Sequence, residues 1–320
     1  MKKRNSGLLK ESAIFGAVAG SVCAAVAGVF IEKFMSKNGI KSIIASNNLM
    51  PAGDSDCFYE SEEALAGIEF YRKMPCEEIS VINKYGKTLY ADFYKAETES
   101  DIYAISCHGF TGIPSQNNIY AKRFYEMGYN VLLPYLRAHG RSEHDYCTMG
   151  WLERFDIIDW INYIIDKNLN AKIILHGVSM GAATVMMATG EELPENVVCC
   201  IEDCGFTTLW EQYSVQIKEM FNLPPEIILN IINPIARIKF GFSLREVSPL
   251  AMVKKSKTPT LFIHGDKDDF VPFWMNYPLY QKASCEKERL VVPGATHAAS
   301  GYLFPDIYWE GITNFINKYI

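Results

Sequence analysis

The chain has 320 residues, a formal net charge of −6, 49% hydrophobic residues and 21% charged residues. This length suffices for one large core plus a tail or an insertion, and the composition is that of an ordinary globular protein. No run of Lys and Arg interleaved with aromatic residues occurs, so we expect no nucleic-acid partner. The nine cysteines are an odd number and follow no spacing typical of a disulfide framework.

The N-terminal region differs from the rest of the chain. Ser12 to Ile31 is an uncharged run of the length that a membrane-spanning helix needs. Basic residues before it favour a cytoplasmic N-terminus. We therefore predict a cytoplasmic segment 1–11, a single transmembrane anchor 12–31 and an extracytoplasmic main domain. The alternative is a cleaved signal peptide, because Ala25-Val26-Ala27 before Gly28 has the pattern of a cleavage site, and the protein would then be secreted.

Residues 32–76 are polar and irregular, which predicts a linker. Within the linker, Ser61 to Leu65 opens a short helix that runs towards Tyr71 and packs on the main domain. The main domain is predicted to span 77–320.

The main domain begins with two stretches that alternate apolar and polar residues, Glu78 to Asn83 and Thr88 to Tyr94, as in a β-hairpin. Fully apolar short runs then alternate with helical stretches. Buried parallel strands have this appearance, and helices between them cover both faces of the sheet. The runs are 102–107, 130–134, 172–176, 197–202, 260–264 and 289–292, and the helices are 117–127, 151–168, 180–190, 272–283 and 305–319. The pattern predicts an α/β fold with a mostly parallel, eight-stranded sheet.

One segment interrupts this alternation. The stretch between the strand ending near Asp203 and the strand at Thr260 is too long for a plain crossover. Its middle, 224–242, is strongly apolar and helical in pattern. We predict a small helical cap, inserted after the sixth strand at about 206–250.

A candidate nucleophile lies between a predicted strand and a predicted helix. Ser179 is the centre of the G-x-S-x-G pattern Gly177–Gly181. A sharp turn here needs small residues on either side and projects the serine hydroxyl above the sheet. Serine attacks only when a base takes its proton, and His297 follows the last predicted strand, where such a base is expected.

The base in turn needs an acid to orient its ring, and the acid should follow the preceding strand. The segment after His264 supplies Asp266, Asp268 and Asp269. Each of them preserves the chain order serine, acid, histidine.

Four motifs occur in order along the main domain. They are His108–Gly112, Arg137–Ser142, the serine turn, and His264-Gly265-x-x-Asp268-x-x-Val271-Pro272. On these motifs, residues 77–320 resemble the α/β-hydrolase superfamily, in the branch of monoacylglycerol-lipase-like esterases and serine aminopeptidase-type hydrolases. The resemblance implies the α/β-hydrolase fold and a catalytic triad.

The resemblance also implies roles for individual residues. It selects Asp268 as the acid, with Asp203 after the sixth strand as a positional variant that some hydrolases use. It assigns the oxyanion hole to the backbone N–H groups of Phe110 and Met180. His108 is expected to be structural, with its ring bracing the loop. His139 and Ser142 are also expected to be structural, because the Arg-x-His-Gly-x-Ser turn recurs in relatives as a packing feature.

The remaining candidates have simpler interpretations. Cys107, Cys199 and Cys200 lie in apolar runs and are expected in the core. A metal site around Cys199–Cys204 is disfavoured, because neighbouring strand residues point to opposite faces and no matching ligand pair exists elsewhere. We expect no cofactor and no metal.

These features predict a serine hydrolase that cleaves a carboxylic ester through an acyl-enzyme intermediate. The apolar cap favours a small-molecule ester with a lipophilic or small acyl group. The first alternative is a serine peptidase or acylaminoacyl hydrolase, which calls for a carboxylate cluster in the cap, and the glutamates there are scattered: Glu211, Glu219, Glu226 and Glu246. The second alternative is a non-catalytic, membrane-tethered scaffold, since a fold alone does not prove activity.

Overall fold

The computed structural model describes residues 25–46, 61–112 and 116–320. Its strands are β1 (Glu77–Ile82), β2 (Thr88–Tyr94), β3 (Ile102–Cys107), β4 (Asn130–Pro134), β5 (Lys172–Val178), β6 (Val197–Asp203), β7 (Thr260–Gly265) and β8 (Lys287–Val292). They form one eight-stranded sheet in the order β1-β2-β4-β3-β5-β6-β7-β8. Strand β2 is antiparallel to both of its neighbours, and all the other pairs are parallel. The predicted mostly parallel sheet is confirmed.

The helices follow the strands in the predicted alternation. They are α1 (25–35), α2 (Lys37–Ala45), α3 (Glu62–Lys73), α4 (Asn118–Glu126), α5 (Glu153–Lys167), α6 (Met180–Thr189), α7 (Leu209–Phe221), α8 (Pro225–Phe240), α9 (Pro249–Val253), α10 (Asn276–Lys282), α11 (Ser300–Leu303) and α12 (Pro305–Ile316). A 3-10 turn, Phe273–Met275, precedes α10 and forms the start of the helix predicted at 272–283. Helices α7 and α8 are the cap.

Two apolar layers enclose the sheet. On one face lie α1, α2, α5, α6 and the cap, and on the other lie α3, α4 and α12. Successive strand residues alternate between these layers, so that Ile173 and Leu175 pack in the first and Ile174 in the second. Burial on both faces is the reason that the central strands read as continuous apolar runs.

The N-terminal prediction is wrong where the structure describes it. Positions 12–24 of the predicted anchor lie outside the described residues, but 25–31 belong to α1. Ala27, Phe30 and Ile31 of α1 are buried in the first apolar layer, so they do not face lipid. Within the described ranges, no helix has the length and apolar character needed to cross a bilayer.

The predicted linker is also partly wrong. Residues 37–45 form α2, which begins at Ser36 with a side-chain cap and buries Ile40 and Ile43. The segment is helical because packing of these apolar side chains on the domain stabilises a short helix, which would be marginal in water. The helix predicted after Ser61 is present as α3, and residues 47–60 lie outside the described part of the chain.

Candidate active site

Ser179 occupies a strained turn between β5 and α6. Its backbone has φ 57° and ψ −114°, a conformation that non-glycine residues rarely adopt. A Cβ at Gly177 would lie 2.3 Å from the carbonyl oxygen of Gly181, and a Cβ at Gly181 would lie 2.1 Å from that of Cys107. Only glycine fits at either position, so the motif is a steric requirement of the turn.

The structure brings the three predicted side chains into one hydrogen-bonded chain. Ser179 Oγ donates to His297 Nε2 over 2.8 Å, and His297 Nδ1 donates to Asp268 Oδ2 over 2.7 Å. Asp268 and His297 are buried. This geometry lets the imidazole take the serine proton while the carboxylate holds the tautomer and stabilises the resulting cation.

Asp268 is held in its charged form. Its Oδ1 accepts from the Val271 N–H over 2.9 Å, and its Oδ2 lies 3.2 Å from His264 Nε2. Burial acts to raise the pKa of Asp268, but the charge of His297 and the hydrogen bonds from His264 and His297 outweigh it and lower the pKa to about 2. The carboxylate is therefore ionised at every pH at which the protein would work.

The other acid candidates have different surroundings. Asp266 Oδ1 accepts from the Gly294 N–H over 2.7 Å and thereby stabilises the loop before His297, while Asp269 is exposed. Asp203 is fully buried after β6, and burial raises its pKa to about 7. Of these carboxylates, only that of Asp268 hydrogen-bonds to His297 in the described residues.

The loop after β3 brings a second element of the site to the nucleophile. A Cβ at Gly109 would lie 3.4 Å from Ser179 Cβ, so the backbone of this loop packs directly against the nucleophile. Phe110 and Met180 both line the cavity beside Ser179. Among the described residues their backbone N–H groups have no hydrogen-bond partner. Two unpaired donors beside a nucleophile suit a developing oxyanion.

Two buried histidines brace this loop. His108 Nε2 accepts from the Leu136 N–H, and its Nδ1 donates to the Gly109 carbonyl. His139 Nε2 accepts from the Thr111 N–H. Burial lowers the pKa of His108 to about 3 and that of His139 to about 4, so both rings are neutral. They hold the loop as neutral imidazoles with one donor and one acceptor nitrogen each.

The second predicted motif supports the same loop from the neighbouring strand. Ser142 Oγ donates to the Tyr135 carbonyl and accepts from the Tyr90 N–H. Arg137 is buried against Asp156, with two guanidinium contacts of 2.7 Å. These motif residues stabilise the segments around the site, and their side chains do not contact Ser179.

A narrow apolar cavity lies next to Ser179. The cleft has a volume of about 460 Å³, including its mouth. Its lining comes from α1, the cap, the serine turn and the loops after β3, β6 and β7, with Met149 before α5: Phe30, Phe34, Phe110, Met149, Met180, Phe206, Gln212, Tyr213, Gln216, Met220, Phe270 and Val271. Most of these side chains are apolar, which favours an apolar part of a ligand.

Sequence reasoning missed the contribution of α1 to the cavity. The sequence pattern places Phe30 in the predicted membrane anchor and Phe34 in the predicted linker. Their helical spacing with Ala27, Ile31 and Met35 is the signal that could have identified a packed face, because residues three and four apart share one side of a helix.

The cap also holds the loop that follows β7. The side-chain amides of Gln212 and Gln216 both donate to the Phe270 carbonyl over 2.9 Å. The Phe270 ring packs on the His297 ring with centroids 4.8 Å apart. The cap thus contacts the base through one intermediate residue, a link that local sequence patterns did not indicate.

Several buried cysteines lie in the core, and one of them lies close to the triad residues. Cys107, Cys199 and Cys200 are buried in the core, as predicted. Among the described residues, one group has metal-ligand spacing, Cys204 with Asp268 and His297, whose ligand atoms lie within 4.8 Å of one another. Both nitrogens of His297 are engaged by Ser179 and Asp268, and burial raises the pKa of Cys204 well above its usual value. This donor set fits a proton relay better than a cation.

Comparison with known proteins supports the fold. A family model for the alpha/beta hydrolase fold matches residues 105–243. The uncharacterized protein YqkD of Bacillus subtilis (strain 168) is 29% identical over 251 residues, covering 78% of this chain and 82% of that protein.

Solved structures show the same architecture. The esterase Pf2001 of Pyrococcus furiosus has a TM-score of 0.64 and 22% identity, covering 77% of this chain and 92% of that chain. The acylaminoacyl peptidase of Pyrococcus horikoshii has a TM-score of 0.58 and 19% identity, covering 79% of this chain and 43% of that chain. The chain therefore has the α/β-hydrolase fold, and the resemblance to that superfamily is confirmed. Its narrower assignment to the monoacylglycerol-lipase-like branch stays a prediction.

Proposed function

We propose that this protein is a serine hydrolase that cleaves a carboxylic ester through an acyl-enzyme intermediate. The observation that carries the proposal is the hydrogen-bonded chain from Ser179 Oγ through His297 to Asp268, in a strained turn beside two unpaired backbone N–H groups. The esterase and peptidase structures of the same fold support a hydrolase as the general class.

In the acylation step, Ser179 Oγ attacks the ester carbonyl carbon while its proton passes to His297 Nε2. The carbonyl oxygen becomes an oxyanion, which the N–H groups of Phe110 and Met180 stabilise. Such donors each contribute about 2.7–4 kcal/mol of transition-state stabilisation. Collapse of the intermediate breaks the bond to the alcohol oxygen, which leaves with the proton from His297.

Deacylation repeats these chemical steps with water as the nucleophile. His297 takes a proton from the water as the water oxygen attacks the acyl carbon, and the oxyanion again lies against Phe110 and Met180. Release of the acid breaks the bond to Ser179 Oγ, which recovers its proton from His297. Asp268 keeps its negative charge throughout and stabilises the imidazolium in both halves of the reaction.

Esters are favoured over peptides with a free amino group because the cavity lining contains no carboxylate among the described residues. An ammonium group brought into such a cavity would lose its hydration without a partner. Two of the four cap glutamates are engaged elsewhere: Glu211 accepts from the hydroxyls of Thr207 and Thr208, and Glu246 pairs with Arg237. This distribution argues against the alternative of a peptidase that binds a free amino group.

A fluorophosphonate probe tests the proposed nucleophile directly. We expect one label on the full chain, located at Ser179 by peptide mass spectrometry, and no label on Ser179→Ala. Absence of labelling in the folded wild type, or equal labelling of the variant, would refute a serine hydrolase. Rates with p-nitrophenyl esters and aminoacyl-anilides then separate the ester from the peptide alternative, and faster anilide cleavage would contradict the ester assignment.

An extracytoplasmic, membrane-tethered location stays a separate prediction. It rests on the uncharged run 12–31, whose residues 12–24 lie outside the described part of the chain. Cell fractionation followed by protease treatment of intact cells tests it, and recovery of the full chain in the soluble cytosolic fraction would contradict it.

A further inference from the structure

Helix α1 is inserted between the cap and the loop that carries Phe110. Four aromatic rings form a row across this contact. The Phe34 ring lies 6.2 Å from Phe110, Phe30 lies 4.7 Å from Phe34, and Tyr213 of α7 lies 4.8 Å from Phe30, centroid to centroid. The N-terminal helix therefore joins the loop expected to hold the oxyanion to the cap.

The two phenylalanines of α1 face the cavity beside Ser179. Phe30 is 1% exposed and Phe34 is 2% exposed, and both line the cleft. The neighbouring residue Val29 is 57% exposed on the other side of the helix. The two inward-facing rings therefore form part of the apolar wall of the cleft beside Ser179.

The C-terminal end of α1 is fixed to the main domain. The Cys147 N–H donates to the Met35 carbonyl and the Lys37 N–H donates to the Asp145 carbonyl, both over 2.8 Å, and Ser36 forms a β-bridge with Tyr146. Phe34 lies directly before these contacts. These backbone contacts fix the helix end that carries Phe34, whose ring lines the cavity.

We propose that Phe30 and Phe34 form the closed end of the acyl subsite and set the length of acyl group that the protein accepts. The proposal rests on the proposed function, since it names the substrate class of that same site. An acyl chain bound to Ser179 Oγ, with its carbonyl oxygen on Phe110 and Met180, extends into the cavity that these rings limit. Short, unbranched acyl groups fit, and longer ones meet the two rings.

Removing either ring should lengthen the preferred acyl chain. Each methylene that fits or fails to fit an apolar pocket changes kcat/KM by about 10- to 200-fold. We expect Phe34→Ala and Phe30→Ala to raise the ratio of octanoyl to acetyl ester kcat/KM by about tenfold or more relative to the wild type. Phe34→Trp should shift the ratio in the opposite direction, because the larger ring shortens the subsite.

The experiment measures kcat/KM for p-nitrophenyl esters from acetyl to decanoyl with the full-length chain and each variant. Val29→Ala is the control on the same helix, since its side chain faces away from the cavity, and Phe315→Ala is the control for loss of a buried ring in the opposite layer. Neither control should change the ratio. Thermal unfolding identifies misfolded variants, and Phe34→Leu replaces Phe34→Ala if that variant does not fold.

The outcomes separate the two proposals. A wild type that neither reacts with the fluorophosphonate nor cleaves any ester refutes the proposed function itself. Active, folded Phe30 and Phe34 variants with the wild-type chain-length profile refute the acyl-subsite role and leave the hydrolase intact. A shift toward longer chains in both alanine variants, absent from both controls, supports it.

Discussion

The reacting groups and the cavity walls are built in different ways. Ser179, His297 and Asp268 each lie within a few residues of the carboxyl end of a parallel strand, where backbone sterics and hydrogen bonds fix them. The walls come from α1 and the cap, which are distant in the sequence and meet through apolar packing. Catalysis tolerates little displacement of reacting atoms, whereas an apolar wall tolerates many side chains of suitable volume. The two regions should therefore respond differently to substitution.

The largest effects on activity are expected from substitutions of His297 and Asp268. His297→Ala should lower kcat by about 10⁶-fold and Asp268→Ala by about 10⁴-fold, since the base is indispensable and the acid acts through it. Kinetics with a p-nitrophenyl ester of a short acid measure both. The acid assignment would be wrong if Asp203→Ala or Asp266→Ala reduced kcat more than Asp268→Ala.

A steric substitution in the serine turn should have the next largest effect. Gly181→Ala would place a Cβ 2.1 Å from the Cys107 carbonyl oxygen, whereas a Cβ at Gly28 of α1 has no atom within 4 Å. We expect Gly181→Ala to lower the free energy of unfolding by about 3 kcal/mol and to displace Ser179, and Gly28→Ala to be nearly neutral. Denaturant titration and fluorophosphonate labelling measure the two consequences. Normal labelling of a stable Gly181→Ala protein would contradict the steric account.

The two buried aspartates should give opposite pH dependences. The folded-state pKa of Asp268 is about 2, below the ordinary value of 3.8, so the unfolded chain binds the proton more tightly. Its ionisation stabilises the fold above about pH 4, by about 2 kcal/mol, and this contribution is lost as the pH falls towards 2. Asp268→Asn should therefore weaken the fall in stability over this window.

Asp203 has the reverse sign. Its folded-state pKa is raised from 3.8 to about 7 by burial, so its ionisation opposes folding as the pH rises through that range. Asp203→Asn should be more favourable relative to the wild type at pH 8 than at pH 4. Urea unfolding at several pH values measures both variants, and a common sign for the two would refute the assignment of separate roles.

The smallest effect is expected where the cap contacts the base. Removing both side-chain donors to the Phe270 carbonyl, in Gln212→Ala with Gln216→Ala, should cost about 1 kcal/mol per bond. We expect a raised KM because both glutamines line the cavity. We also expect a modest fall in kcat because Phe270 packs on His297. Gln281→Ala, at an exposed position, is the control. Unchanged kinetics in the double variant would show that the cap does not influence the base.

Much of the fold and of the site was predictable from the sequence, because the triad residues are positioned by short segments at the ends of strands. Strand runs, the helices between them and the loops at their carboxyl ends are short-range patterns. In G-x-S-x-G, Gly177 reflects a close contact with Gly181 within the turn, whereas Gly181 reflects the packing of the turn against Cys107 at the end of β3. The order of Ser179, Asp268 and His297 along the chain then narrowed the candidates for the base and the acid that act with the serine. The structure adds the hydrogen bonds that distinguish Asp268 from Asp203 and Asp266.

The sequence by itself determined the alternation of strands and helices, the strained serine turn and the candidate nucleophile, base and acid, because each depends on residues close together in the chain. Only the tertiary structure decided the place of α1 and the shape of the cavity. Apolar residues at helical spacing are compatible with both a membrane and a protein core. The pattern in 27–35 therefore could not distinguish a membrane anchor from a packed helix. Packing of Phe30 and Phe34 against the cap and the Phe110 loop resolved the choice, since the surface they cover exists only in the folded domain.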